Sequence, residues 1–291
     1  MLVARTLADL RAACADLRRP AQALALVPTM GALHQGHRAL VRAATASGAA
    51  PVASIFVNPL QFAANEDLTR YPRDEAGDLA TLRAEGCALA WLPDLATMYP
   101  DGEATTITVA GPARHWEGAA RPGHFRGVAT VCAKLFGQVR PDQAYFGEKD
   151  WQQLQVIRRM VTDLLLPLRV VGVETVREAD GLAMSSRNRF LSPQQRTQAP
   201  MLAAALRDVA ERLAAGEAAP ALLAEARAVL QRLDFAVDYF ALVDGETLSP
   251  VNSAIPGARL IAAAGLGTVR LLDNIAAGQA AAYPRKIVDP A

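Results

Sequence analysis

The sequence predicts an α/β protein: a parallel sheet covered by helices on both faces, followed by a smaller C-terminal α+β domain. Three observations carry this. Between residues 23 and about 175, short β-type apolar runs alternate with segments of helical periodicity, the pattern of βαβ units whose strands lie side by side. Runs such as "ALALVPT" are apolar throughout rather than alternating, as expected for strands buried on both faces. Beyond about residue 190 alanine-rich helices give way to consecutive β-type runs. The first domain is therefore expected over 1–175 and the second over 176–291.

Taken in order, the N-terminal "MLVARTLADLRAACADLRR" has apolar residues at helical spacing interrupted by charges. It reads as an amphipathic helix of a soluble cytoplasmic protein, being neither a secretory h-region nor a membrane span. The strand "ALALVPT" precedes a helix at 36–47, "PVASIFV" precedes one at 74–85, and "CALAWLP" gives the next strand. A helix at 127–139 leads to "QAYFG", a helix at 150–163 to "LRVVGVETV". Helices at 193–214 and 220–232 follow, then strands at "VDYFALVD", "RLIAAAGL" and "TVRLLDNI". The alanine-rich segments keep helical periodicity, so they are helix-favouring rather than disordered.

Composition narrows the function. With 291 residues, 52% of them hydrophobic, the chain can bury a large core and is long enough for two domains. A net charge of +1 with both signs interspersed excludes the one-sided basic field of a protein that tracks nucleic acid by its phosphates. Three widely spaced cysteines, Cys14, Cys87 and Cys132, argue against a disulfide framework or thiolate metal knuckle. Lysine is confined to Lys134, Lys149 and Lys286 among thirty basic residues.

Five motifs offer chemistry. In "LVPTMGALHQGH" two of the four histidines, His34 and His37, sit between a strand and a helix beside Gly31 and Gly36. Helix N–H groups aimed at the strand tips make an anion site, and imidazole adds donors for phosphate oxygens. A structural corner remains open as an alternative, and a metal site would need a third ligand. "FGEKDWQQL" places Gly147, Lys149 and Asp150 at another strand end; Asp150 suits a helix N-cap or a ligand for ribose or Mg²⁺, and a capped helix with exposed charges is the alternative. "ADGLAMSSRNRFLS" brings Ser185, Ser186 and Arg187 into a loop that either clamps polyphosphate or is a plain polar connector. "GHFRGVATV" offers His124 and Arg126, and "SIFVNPLQF" offers Asn58 and Gln61 for hydroxyl or carboxylate recognition. His115 and Trp116 in "ARHWEG" read as packing residues. No G-x-S-x-G, Walker or GxGxxG pattern is present. The common theme is positioning and electrostatic handling of a nucleotide rather than covalent attack.

These five motifs, in this order and separation from residue 24 to the "GTVRLLDN" near 274, resemble the pantothenate synthetase (pantoate–β-alanine ligase) family of the H-x-G-H nucleotidyltransferase superfamily. The resemblance implies a Rossmann-like sheet and a reaction in two steps. Pantoate's carboxylate attacks the α-phosphorus of ATP, and the amine of β-alanine then displaces AMP from pantoyl adenylate to give pantothenate. It assigns Met30, Gly31, Ala32, Leu33, His34, Gln35, Gly36 and His37 to the ATP site, with His37 in the proton-donor role. Gly147, Glu148, Lys149, Asp150, Val176, Met184, Ser185, Ser186 and Arg187 would hold ribose, adenine and phosphates, and His34, His37, Lys149 and Arg187 would act in catalysis. Gln61 and Gln153 would contact pantoate, Gln61 also flanking the β-alanine path, with Asn58, Arg121 and His124 as further candidates around the polar substrates. The resemblance further implies Mg²⁺ arriving with ATP beside Asp150 without a dedicated protein metal site, a homodimer, and a C-terminal domain acting as a lid. Many relatives carry Glu where Gln35 stands and Tyr where Trp151 stands; the first removes a charge beside the phosphates, the second changes packing. Because adenylation by a carboxylate moves no proton, His37 is expected to act chiefly by stabilising negative charge. The rival readings are a nucleotidyltransferase that makes a nucleotide-linked product, and a nucleotide-binding scaffold without catalysis.

Overall fold

The computed structural model describes residues 1–18, 21–62, 68 and 71–277; Lys286 and the remainder of the expected second domain lie outside them. The chain divides into two compact units, one ending at Glu174 and one beginning at Thr175.

The first unit is built on a six-stranded sheet of order β1-β4-β3-β2-β5-β6, every pairing in it parallel. Its elements are β1 (Leu2–Ala4), α1 (Leu7–Arg18), β2 (Leu24–Thr29), α2 (Gln35–Ala46), β3 (Ala50–Ile55), α3 (Glu75–Ala84), β4 (Leu89–Trp91), the short α4 (Leu95–Met98) and α5 (Glu117–Ala120), α6 (His124–Val139), β5 (Gln143–Gly147), α7 (Trp151–Asp163) and β6 (Arg169–Val173). In β2, Leu24 and Leu26 join a core with α1, α6 and α7, while Ala25 and Val27 join another with α2 and α3. Successive side chains of a strand point to opposite faces, so the continuous apolar run is the mark of a strand covered on both sides.

The order of strands fixes where a ligand can bind. From β2 the sheet grows through β3, β4 and β1 on one side and through β5 and β6 on the other, so the direction reverses between β2 and β5. Pairing of these two strands covers only Ala25 and Leu26; two residues on, Pro28 has no N–H with which to extend a ladder. The strands thus part at their carboxyl ends, and a crevice at such a switch point is the ligand position of open α/β sheets.

The second unit contains the short α8 (Pro193–Gln198), then α9 (Met201–Ala214) and α10 (Ala219–Arg232), with an antiparallel sheet of β7 (Phe235–Val243), β8 (Arg259–Leu266) and β9 (Val269–Ala276) in that order. Leu202, Leu206 and Val209 of α9 and Leu222, Ala226 and Leu230 of α10 share one core with the sheet.

Two expectations are corrected. The N-terminal segment is a strand and then a helix, because Thr6 Oγ1 accepts from Asp9 N at 3.1 Å and so starts α1 behind a three-residue edge strand. The single helix expected over 193–214 is split into α8 and α9 around Pro200, which lacks an amide hydrogen to donate. Among the described residues, no helix is long and apolar enough to cross a membrane, and all three cysteines are free and buried.

In the second unit Arg177 grips Asp273 through two bonds of 2.7 and 2.8 Å, the carboxylate being 3% exposed. Replacing Arg177 by Met strands that buried charge and is expected to cost about 3–5 kcal/mol, read as a lowered urea midpoint at unchanged m-value.

Candidate functional site

The loop after β2 is shaped by its own backbone. Gly31 has φ +82° and Ala32 φ +51°, the left-handed region that costs a side-chain-bearing residue energy. A Cβ on Gly31 would also stand 2.8 Å from Asp78 Oδ2. That carboxylate holds the bend in place: it accepts from Ala32 N at 2.9 Å and Leu33 N at 2.7 Å and is only 4% exposed. Thr29 Oγ1 completes the corner, donating to Ser54 O at 2.7 Å and accepting from Gly31 N at 3.2 Å. Sequence reasoning missed Asp78. Its signal was present, since Asp78 lies four residues before Leu82, the other buried residue of α3, and an acid on the buried stripe of a helix calls for a partner.

Helix α2 starts at Gln35, one residue ahead of the expected 36, because His34 is its N-cap and His37 occupies the third helical position of a capping box. His34 Nδ1 accepts from Gly36 N at 3.1 Å, and His37 Nδ1 accepts from His34 N at 3.3 Å. The two rings lie 4.1 Å apart, tilted by 37°. The intervening glycine is required: a Cβ on Gly36 would fall 2.8 Å from His34 Cε1. With both Nδ1 lone pairs spent as acceptors, the ring protons sit on Nε2, the far edge of each ring. His37 is half-buried, and desolvation, then His34, push its pKa down to about 3, with Asp150 pulling it up and Lys149 pushing it slightly further down. It is a neutral N–H donor at physiological pH.

The same electrostatic coupling to Lys149 and Asp150 brings the "FGEKD" motif after β5 to the motif after β2. A 3₁₀ turn of Glu148–Asp150 leads into α7. Asp150 occupies the N-cap position without a side-chain cap bond; its Oδ1 lies 3.5 Å from Lys149 Nζ. A Cβ on Gly147 would meet nothing within 4 Å, so the strand end is open there. Gln35 is exposed, with Arg42 Nη2 at 3.5 Å from its Oε1. Trp151 packs on the core of the α1, α6 and α7 face.

The third strand-end motif follows β3. Asn58 caps a 3₁₀ turn of Pro59–Gln61, and Gln61 Nε2 is 2.9 Å from Met30 Sδ. Its backbone carbonyl accepts from Arg121 Nη2 at 3.3 Å and meets His124 Nδ1 at 2.9 Å. Arg121 Nη1 lies 3.1 Å from His124 Nε2; since guanidinium only donates, that nitrogen is the acceptor and Nδ1–H is the donor. Gln153 is half-buried on α7, and its neighbour Gln152 ties α7 to Pro112 O and His115 O, both at 2.8 Å. His115 itself is exposed, contrary to its expected packing role.

In the second unit Met184 N donates to Val176 O at 2.9 Å, and Ser185 caps the 3₁₀ turn Ser186–Phe190 by accepting from Arg187 N at 3.2 Å. Val176, Met184, Ser185, Ser186 and Arg187 are all half-buried. No group of three or more His, Cys, Asp or Glu among the described residues is arranged to hold a metal ion.

A family model described as pantoate-beta-alanine ligase matches residues 2–276. The pantothenate synthetase of Granulibacter bethesdensis is 57% identical over 285 residues, covering 97% of this chain and 99% of that protein. That of Acidiphilium cryptum is 60% identical over 277 residues, 95% of this chain and 100% of its own. Among solved structures, the pantothenate synthetase of Thermus thermophilus superposes with a TM-score of 0.91 at 49% identity over 98% of this chain and 100% of its own. The pantoate-beta-alanine ligase of Francisella tularensis, complexed with beta-gamma ATP and beta-alanine, gives 0.82 at 30% identity over 96% and 98%.

The depressed His37 pKa makes a signed prediction. The unfolded chain takes up this proton near pH 6.5 and the folded chain only near pH 3, so folding is unaffected above 6.5 and loses stability as pH falls below it. By pH 5.5 the loss amounts to about 1 kcal/mol. In a His37→Asn variant, urea unfolding at pH 7.0 and 5.5 shows this increment removed.

Proposed function

Since this chain belongs to the pantoate-beta-alanine ligase family, we propose that residues 30–37 and 147–150 bind ATP and that the crevice between β2 and β5 is where pantoate is adenylated. The chain is a ligase that condenses pantoate with β-alanine. The observation that carries the mechanistic reading is the capping box, which leaves two imidazole Nε2–H donors beside the N-terminus of α2.

In the first step a pantoate carboxylate oxygen bonds to the α-phosphorus of ATP, the bond to the β-phosphate bridging oxygen breaks, and pyrophosphate leaves. Negative charge grows on the α-phosphoryl oxygens and on the leaving group. His34 and His37 meet it with fixed N–H donors, the dipole of α2 adds its positive end, and Lys149 adds a point charge. None of these groups transfers a proton. In the second step the amine of β-alanine attacks the acyl carbon of pantoyl adenylate, AMP departs, and the nitrogen sheds a proton. Charge on the phosphate is then smaller, so the imidazoles and Lys149 matter most in the first step.

Gln61 and Gln153 are assigned to pantoate and Val176 with Met184 to Arg187 to ATP, on their chemistry and the family pattern. Mg²⁺ fits as a companion of ATP: it keeps several waters and needs one or two carboxylates beside the phosphates, for which Asp150, 45% exposed at its side chain, is suited. When bound it neutralises phosphate charge. The same reading makes the protein a cytoplasmic homodimer.

The test is ATP–pyrophosphate exchange. Exchange that requires pantoate but not β-alanine identifies the activated-acid route; exchange that requires the amine contradicts it. His37→Ala is expected to slow single-turnover formation of pantoyl adenylate about 10²–10³-fold, the scale for one preorganised donor.

A further inference from the structure

Gln61 reaches toward Met30 with an amide whose two ends do opposite things: Nε2 donates and Oε1 accepts. Nothing within a glutamine decides which end faces a ligand; the surrounding hydrogen bonds must. Here the decision traces back to backbone. Asn58 is 1% exposed, and all four of its hydrogen-bonding positions are used. Oδ1 accepts from Leu60 N at 3.3 Å and from Tyr99 Oη at 2.6 Å, and Nδ2 donates to Gly127 O at 3.1 Å and to Gln61 Oε1 at 3.1 Å. An amide N–H only donates and a carbonyl only accepts, so Leu60 and Gly127 permit one orientation of Asn58. That orientation commits Gln61 Oε1 and leaves its N–H₂ on the Met30 side, where one N–H meets Met30 Sδ at 2.9 Å.

Tyr99 keeps this relay from slipping. Burial, with Glu103 and Cys132, raises its phenol pKa and keeps it protonated as a donor. Its ring is held under Lys134, whose Nζ lies 5.0 Å from the centroid while bound to Met98 O at 2.7 Å and Glu103 at 2.9 Å. This accounts for one of the rare lysines. Helix α6 presses on the turn from below: a Cβ on Gly127 would fall 2.2 Å from Leu60 O.

We propose that Asn58 and Tyr99 are positioning residues that fix Gln61 as a hydrogen-bond donor to carboxylate or hydroxyl oxygens of the acid substrate. Asn58 has no bond left to offer a ligand, so its part is played through Gln61. The proposal rests on the reading that Gln61 contacts pantoate.

A double-mutant cycle tests both and separates them. Steady-state KM for pantoate and for ATP, and kcat, are measured for the full-length protein and for Gln61→Ala, Tyr99→Phe and the double variant, with thermal midpoints as folding controls. Gln61→Ala is expected to raise pantoate KM about tenfold, Tyr99→Phe about threefold to tenfold, the range of a single hydrogen bond, with ATP KM and kcat little changed. The double variant should match Gln61→Ala alone. A Tyr99→Phe effect that persists in the Gln61→Ala background, that is absent, or that falls equally on ATP overturns the relay. A Gln61→Ala variant with unchanged pantoate KM removes the underlying reading and the relay with it.

Discussion

Two imidazoles that accept backbone hydrogen bonds at the start of α2 set the chemistry of everything around them. A ring that spends Nδ1 on a peptide N–H keeps its proton on Nε2, so helix capping and ligand-facing polarity are one decision. His34 takes the N–H of Gly36 and His37 takes that of His34, which satisfies two of the amides a helix start leaves without partners. The requirement for glycine at position 36 follows, because His34 folds over it. Asp78 then fixes the angle at which this start is presented, by gripping the two preceding amides.

The neutrality of His37 suits the role in adenylation proposed for it. A cationic imidazole would attract phosphate more strongly in the ground state, yet its charge would cost free energy in this partly desolvated position beside His34. Burial removes the charge and keeps the directed donor, which is what the proposed reaction, developing charge without moving a proton, calls for. The scaffold contributes rigidity: β2 is covered on both faces by apolar side chains, so the loops at its end inherit a fixed origin.

Much of this was legible in the sequence because buried parallel strands leave continuous apolar runs, and the runs at β2 and β5 ended in polar motifs with glycine. The edge strand β1 was not, since three residues show no periodicity, although Thr6 and Asp9 carried the cap that separates it from α1. The start of α2 was misplaced because histidine is a rare N-cap and Ser, Thr, Asp and Asn are the usual signals. Asp78 was hidden as one acid among the charges of α3, and the link from Tyr99 to Asn58 could not be read at all, because Tyr99 follows α4 while Asn58 and Gln61 share the turn after β3, and only tertiary packing joins the two. Arg121 and His124 were legible as functional types, but their hold on the Gln61 carbonyl is a matter of geometry alone.

Long-range ¹H–¹⁵N correlation spectra of histidine-labelled protein at pH 7 test the central claim most directly, since they report which ring nitrogen holds the proton. The account predicts the neutral Nε2–H tautomer for both His34 and His37. A spectrum showing Nδ1–H for either ring, or the paired nitrogen shifts of imidazolium at His37, would contradict it.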